Sequence, residues 1–325
     1  MLKITKNSFL ILVKLLITAG FIYWLFANAD RETLKQSLTL IAPILLFGAA
    51  SLHIGVFFLG AWRWWLLLRR AGVSTSFQKI VPSYYLGIFF NNLLPTSMGG
   101  DVIRIIHLKL RGLSTRVLVG SAMIDRIIGL STVVLMGTVS VMFSPDIRLS
   151  ANNKALLLIL VGLAFALLWL MLTPAFIRLI EMIAHRYRHT RIRKALLDVI
   201  VLCYSYRSAK DIILLALGIT LVMQSLVIMI YYYLGTGIGI QLPLITYFAI
   251  IPVVFLAASI PLSIGGLGVR EGALVGLLVA AKIDIQHAIA LSLVYLLVLW
   301  ASSLPGAIVL LFSDKRPQHT LSSRP

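Results

Sequence analysis

Apolar residues in this 325-residue chain run in long unbroken stretches instead of alternating with polar ones. Six stretches have the length of a bilayer crossing: Phe9–Ala27, Leu40–Leu59, Val117–Phe143, Ala155–Leu172, Ile212–Leu234 and Ala288–Phe312. About 20 residues, rising roughly 1.5 Å each, cover a hydrocarbon core roughly 30 Å thick. Two further stretches, Ile80–Leu94 and Leu242–Ile260, are broken where Pro95 and Pro261 follow them. Charged residues collect between the stretches, because backbone polar groups inside lipid must be satisfied within the helix itself. The pattern predicts an all-α polytopic membrane protein.

Basic residues in the short loops orient the spans. With the N-terminus in the cytoplasm, Arg31, Lys35, Arg148, Lys154, Arg270 and Lys282 fall outside or on an outer hairpin, and the other Lys and Arg residues fall inside. Ile80–Leu94 has Lys79 before it and Arg104, Lys109, Arg111 and Arg116 after it, so a full crossing would strand one basic group outside. It is expected to enter from the cytoplasm, break at mid-membrane and return. Leu242–Ile260 with Val269–Ala281 is expected to do the same from outside. Full crossing by either hairpin is the alternative, and it would change the parity of the chain. The run Trp62-Arg63-Trp64-Trp65 reads as an interface anchor at the end of the second span. The first apolar run exceeds the roughly 7–15 residues of a signal-peptide core, so it reads as a retained span.

The two broken segments share a motif. Pro95-Thr96-Ser97-Met98-Gly99-Gly100-Asp101-Val102-Ile103-Arg104 and Pro261-Leu262-Ser263-Ile264-Gly265-Gly266-Leu267-Gly268-Val269-Arg270 both read P-x-S-x-G-G-x-x-x-R. Each half then holds three spanning helices plus one re-entrant helical hairpin, and an odd number of spans turns the second copy upside down. The expected organisation is a single membrane domain, 1–325. Repeat A covers about 8–143 and repeat B about 154–312, with a basic cytoplasmic segment at 176–210 and a C-terminal tail at 313–325. Inverted repeats with paired broken helices place substrate near the midplane between the halves.

The tips carry chemistry. Proline ends the incoming half-helix, and Ser97 or Ser263 is placed to cap the outgoing one. Glycine pairs let backbone turn and approach a ligand. The outgoing half-helix offers N–H groups and positive dipole density to a phosphate, and Arg104 and Arg270 can bind it bidentately. Intramembrane charge is costly and marks function. Asp101 is spaced to pair with Arg104, and Asp125-Arg126 and Arg270-Glu271 read as further charged pairs at the hairpin mouths.

Composition narrows the partners. Apolar residues make up 60% and charged residues 12%, whereas soluble domains carry about 25% charged. The formal charge of +18 sits in loops beside spans, which reads as topology and attraction to anionic headgroups, with no nucleic acid expected. Cys203 is the single cysteine, which excludes an intramolecular disulfide and a cysteine zinc site. The six histidines are scattered, and neither a metal site nor a cofactor is expected.

At these motifs the chain resembles the lysylphosphatidylglycerol synthase/flippase transmembrane family. The pattern runs from Asn91 or Asn92 through Pro95, Gly99, Gly100 and Asp101 to Arg104, then Asp125-Arg126, then Pro261, Ser263, Gly265, Gly266, Gly268, Arg270 and Glu271. The resemblance implies a flippase-like membrane domain that handles lipids. In fused members a cytoplasmic aminoacyltransferase domain makes the aminoacylated lipid. Here a short polar tail follows Phe312, so lipid lysylation by this chain alone is not expected. These residues, with Ser97, are the expected substrate-binding set. The expected partners are membrane lipids, either anionic phospholipid or a polyprenyl-linked substrate. A second copy of the chain or a separate synthase is the compatible protein partner. The expected location is the bacterial cytoplasmic (inner) membrane, with both termini cytoplasmic. Two other functions compete with lipid movement: a membrane transferase acting on a lipid-linked substrate, and a scaffold recruiting partners through Arg178–Lys210.

Overall fold

The computed structural model describes residues 41–94, 99–143, 209–260 and 266–313 continuously, with scattered positions between 14 and 39 and between 155 and 206. Much of the expected spans Phe9–Ala27 and Ala155–Leu172, most of the basic segment, the tail beyond 313, and the tip residues Pro95, Ser97, Pro261, Ser263 and Gly265 lie outside the described residues.

Every regular element among the described residues is helical. Helix α1 (Pro43–Arg70) opens with proline near its first turn, where the missing N–H costs nothing, and closes on Arg69 and Arg70 beside its carbonyl end. Helices α2 (Phe77–Leu93) and α3 (Gly99–Lys109) form the first broken segment. Helix α4 (Thr115–Phe143) follows. Helix α5 (Lys210–Ile238) ends at Gly239, whose φ of 96° is the left-handed C-terminal cap. Helices α6 (Leu244–Ser259) and α7 (Val269–Ala280) form the second broken segment, and α8 (Ile285–Ser313) closes the described fold.

Among the described residues four helices, α1, α4, α5 and α8, are long and apolar enough to cross a membrane, and the protein is polytopic. At 28 residues α1 reaches about 42 Å, while the 17 and 16 residues of α2 and α6 reach only about 25 Å. Both short helices end the same way: Leu94 and Ile260 are extended, at ψ 143° and 128°. Each precedes a proline, which disfavours helical backbone in the residue before it. Beyond the breaks the chain folds back, so α3 packs along α2 and α7 along α6.

The packing comes in matched sets. Helix α1 lies against α5; α2 against α8 as α6 against α4; α1 against α8 as α5 against α4. Close approach at small residues holds two of these seams. Gly306 of α8 lies against the Tyr85 backbone and Phe89 of α2, and Gly137 of α4 lies against the Pro252 ring of α6. The outer faces are apolar: Phe47, Leu214, Val222, Leu297, Leu304 and Leu311 are exposed, as lipid-facing positions must be.

One expectation is corrected. Trp62-Arg63-Trp64-Trp65 is not an interface anchor as a unit, because α1 continues to Arg70 and turns Arg63 and Trp64 into the protein, with Trp64 fully buried. The outgoing helix of the second hairpin starts at Val269, and the N–H of its N-cap Gly268 donates to Glu271 Oε2 at 2.6 Å, so a glutamate carboxylate takes part in the cap.

Candidate functional site

Between the two broken segments lies a cavity of about 380 Å³. The α2–α3 hairpin gives it Asn91, Gly100, Asp101 and Arg104; the α6–α7 hairpin gives Phe255, Ser259 and Arg270; α1, α4, α5 and α8 complete the wall. Of the expected set, Asn91, Gly100, Asp101, Arg104, Asp125, Arg126 and Arg270 converge here, and Glu271 sits directly behind Arg270. Asn92, Gly99, Gly266 and Gly268 are described but do not line the cavity.

The charges are wired across elements. Arg63 Nε of α1 donates to Asp125 Oδ1 of α4 at 2.8 Å, and its Nη1 donates to Thr220 Oγ1 of α5 at 2.7 Å. Arg104 Nη2 of α3 lies 3.2 Å from Asp125 Oδ2 and 2.9 Å from Asp101 Oδ1. Asp101 Oδ2 in turn accepts from Arg126 Nε at 2.6 Å. The order is Arg63–Asp125–Arg104–Asp101–Arg126, an alternating ladder joining α1, α3 and α4. Arg63 and Arg104 are only 6% and 4% exposed. The Arg104 guanidinium also stacks 4.1 Å above the Trp64 ring, with Tyr84 at 5.2 Å. Trp64 is itself held by its Nε1–H, which donates to Ser121 Oγ at 3.1 Å.

The second hairpin is wired more locally. Glu271 takes Arg270 Nε at 2.9 Å and also the Gly268 N–H, while the Arg270 guanidinium sits 5.7 Å over the Tyr295 ring. Tyr295 OH meets His53 Nε2 at 3.1 Å, and His53 Nδ1 meets Ser302 Oγ at 2.9 Å. Among the described residues, four guanidiniums face three carboxylates around the cavity. Among the described residues, Arg104 Nε and Asn91 Oδ1 are buried without a hydrogen-bond partner, so the cavity wall keeps unspent polar capacity.

Three readings of these residues change. Asp125 pairs with Arg63 and Arg104, not with the adjacent Arg126, which pairs with Asp101. The N-termini of α3 and α7 carry their own acids, Asp101 and Glu271, at the third helical position, so neither Arg104 nor Arg270 stands as a bare phosphate fork. Gly100 is a packing residue: a Cβ there would collide with the Gly87 carbonyl, where α3 crosses α2. Gly266 and Gly268 are needed for backbone shape, at φ 80° and 85°, and Gly268 also lies against Phe21 of the first apolar stretch.

Arg63, Tyr84, Thr220, Gln224, His53 and Tyr295 are wall residues that the sequence reading did not assign to the site. Arg63, His53 and Gln224 each interrupt an apolar run, and that interruption is the signal for them.

Comparison with known proteins places this geometry. A UPF0104 membrane protein of Pyrococcus horikoshii is 26% identical over 171 residues, covering 51% of this chain and 48% of that protein, so the chain matches about half the length of that relative. A UPF0104 membrane protein of Methanothermobacter thermautotrophicus is 23% identical over 336 residues, covering 96% of each. The family described as lysylphosphatidylglycerol synthase TM region matches residues 11–306, nearly the whole chain and every element around the cavity. The protein therefore belongs to the lysylphosphatidylglycerol synthase transmembrane-region family.

Proposed function

We propose that this chain moves an anionic lipid between leaflets, with the phosphate-bearing head held in the cavity between the two hairpins. The observation that carries this is the cavity itself: four arginines drawn from both hairpins and two spans, enclosed by apolar helices, against three carboxylates among the described residues. A buried ion pair is at best near neutral for stability, and intramembrane charge is kept where it handles a ligand. The matched packing of α1–α4 against α5–α8, together with the shared P-x-S-x-G-G-x-x-x-R motif, supports an inverted repeat with re-entrant hairpins. The basic loops support cytoplasmic termini. Anionic phospholipid and polyprenyl-linked phosphate present the same chemistry to these arginines.

The test is reconstitution of purified protein into phosphatidylglycerol-containing vesicles with a trace of headgroup-labelled lipid. A membrane-impermeant quencher then reports exchange between leaflets, and mass spectrometry of the extracted lipid reports covalent change. Quenching beyond the outer-leaflet half, with unchanged lipid mass, is expected. A new lipid product would favour the transferase, and neither movement nor product would remove the transport reading.

A further inference from the structure

We propose that the slot between α4 and α6, framed by Arg126, Gly129, Leu130, Ala258 and Ser259, is a lateral portal. Through it a phosphate-bearing lipid passes its head into the cavity while its chains stay in the bilayer. This rests on the headgroup reading given above.

The first reason is size. A cavity of about 380 Å³ suits a headgroup-sized ligand and cannot enclose two acyl chains, so the chains need a way out sideways. The second is exposure. Among the described wall residues Leu130, 42% exposed, and Ser259 are the two most open to the surroundings. Leu130 lies on α4, and Ser259 is the last residue of α6. The third is free space beside α4. A Cβ on Gly137 would stand 3.1 Å from the Pro252 ring, whereas one on Gly129, a cavity-wall residue of the same helix, meets no atom within 4 Å among the described residues. Helix α4 is therefore packed against α6 at Gly137 and unfilled at the cavity wall around Gly129. The matched seam between α2 and α8 is closed where Gly306 packs onto the Tyr85 backbone and Phe89.

The mouth is also graded in polarity. Leu130, Val133 and Phe255 give it apolar edges. Arg126, with a 37% exposed side chain engaged by Asp101, stands one helical turn before Leu130 at the threshold. A soluble phosphate ester would reach the same arginines without needing a slot open to lipid, and this difference gives the test.

Gly129→Trp fills the slot without disturbing a packed contact, and Val139→Trp adds the same bulk to an exposed position of α4 away from the cavity. Detergent-purified wild type and both variants are titrated by native mass spectrometry with dioleoyl phosphatidylglycerol and with chain-free glycerophosphoglycerol. Gly129→Trp is expected to bind the two-chain lipid about tenfold more weakly and the chain-free head within about twofold of wild type, with Val139→Trp unchanged for both. Wild-type lipid binding by Gly129→Trp overturns the portal, as does equal loss of both ligands or an equal loss in Val139→Trp. A wild type that binds neither ligand overturns the headgroup reading and takes the portal with it.

Discussion

Asp125 is the residue on which the charge ladder turns, and removing its charge should cost more than any other single change there. Its two oxygens serve two guanidiniums on different helices, Arg63 at 2.8 Å and Arg104 at 3.2 Å, both almost wholly buried. Asp125→Asn keeps the volume and leaves two cations facing each other. Breaking a buried ion pair by removing one partner typically costs about 3–5 kcal/mol. The lower end applies here, because Arg63 keeps Thr220 and Arg104 keeps Asp101. About 3 kcal/mol is roughly a hundredfold in the folded fraction. The assay is heat challenge in mild detergent, followed by fluorescence-detected size exclusion, on wild type, Asp125→Asn, Arg63→Gln and the double variant. The double variant removes one cation along with the anion, so it should recover about 1–3 kcal/mol relative to the sum of the single changes. A wild-type melting profile for Asp125→Asn, or strict additivity in the double variant, would refute the ladder as an energetic unit.

Three further outcomes follow from the same geometry. Asp101→Asn removes the carboxylate that competes for Arg104 and Arg126, so phosphatidylglycerol affinity measured by native mass spectrometry should rise about tenfold; unchanged or weaker binding would count against competition. Gly100→Ala should lose at least about 1–3 kcal/mol through collision with the Gly87 carbonyl, while Gly129→Ala should be tolerated, both read by the same heat challenge. In a Cys203→Ser background, Ser150→Cys should react with an impermeant thiol reagent from outside and Thr115→Cys only after the membrane is opened, and outside labelling at Thr115→Cys would remove the inverted-repeat topology.

The helices were legible because hydrophobic length is a strong signal. The breaks after Leu94 and Ile260 were legible because proline and paired glycines interrupt it. Convergence of Asp101, Arg104, Asp125, Arg126 and Arg270 was also legible in outline, since charge inside apolar runs has few tolerable places to go. The pairing was not. Asp125 and Arg126 are neighbours in sequence, yet successive side chains on a helix point about 100° apart. Asp125 therefore turns inward to Arg63 and Arg104, while Arg126 reaches Asp101 along the wall. Arg63 looked terminal because two tryptophans follow it, but the helix end is marked by Arg69 and Arg70 one to two turns later. For Gly100 two readings share one sequence. A glycine that admits a ligand and one that admits a neighbouring helix have the same local sequence, and only the position of Gly87 decides between them.

The acids explain how such a cavity can both fold and work. Four guanidiniums, three of them buried, would not stay in an apolar interior without counter-ions. Four carboxylates would neutralise the cavity and leave nothing to attract an anion. Among the described residues there are three, with Asp101 on two arginines, Asp125 on two and Glu271 on one. On the proposed function, a phosphate entering the cavity does not fill an empty fork but exchanges with Asp101, the most exposed carboxylate of the ladder, at Arg126 and Arg104. Each contact made to the lipid is then offset in part by one lost to the protein, and the net affinity stays modest. A carrier needs that balance, because a head bound too tightly in one leaflet cannot be released into the other. The competition predicted for Asp101→Asn therefore has a second consequence: tighter binding should come with slower exchange between leaflets. Tighter binding with faster exchange would show that Asp101 only supports structure, and that release is governed elsewhere.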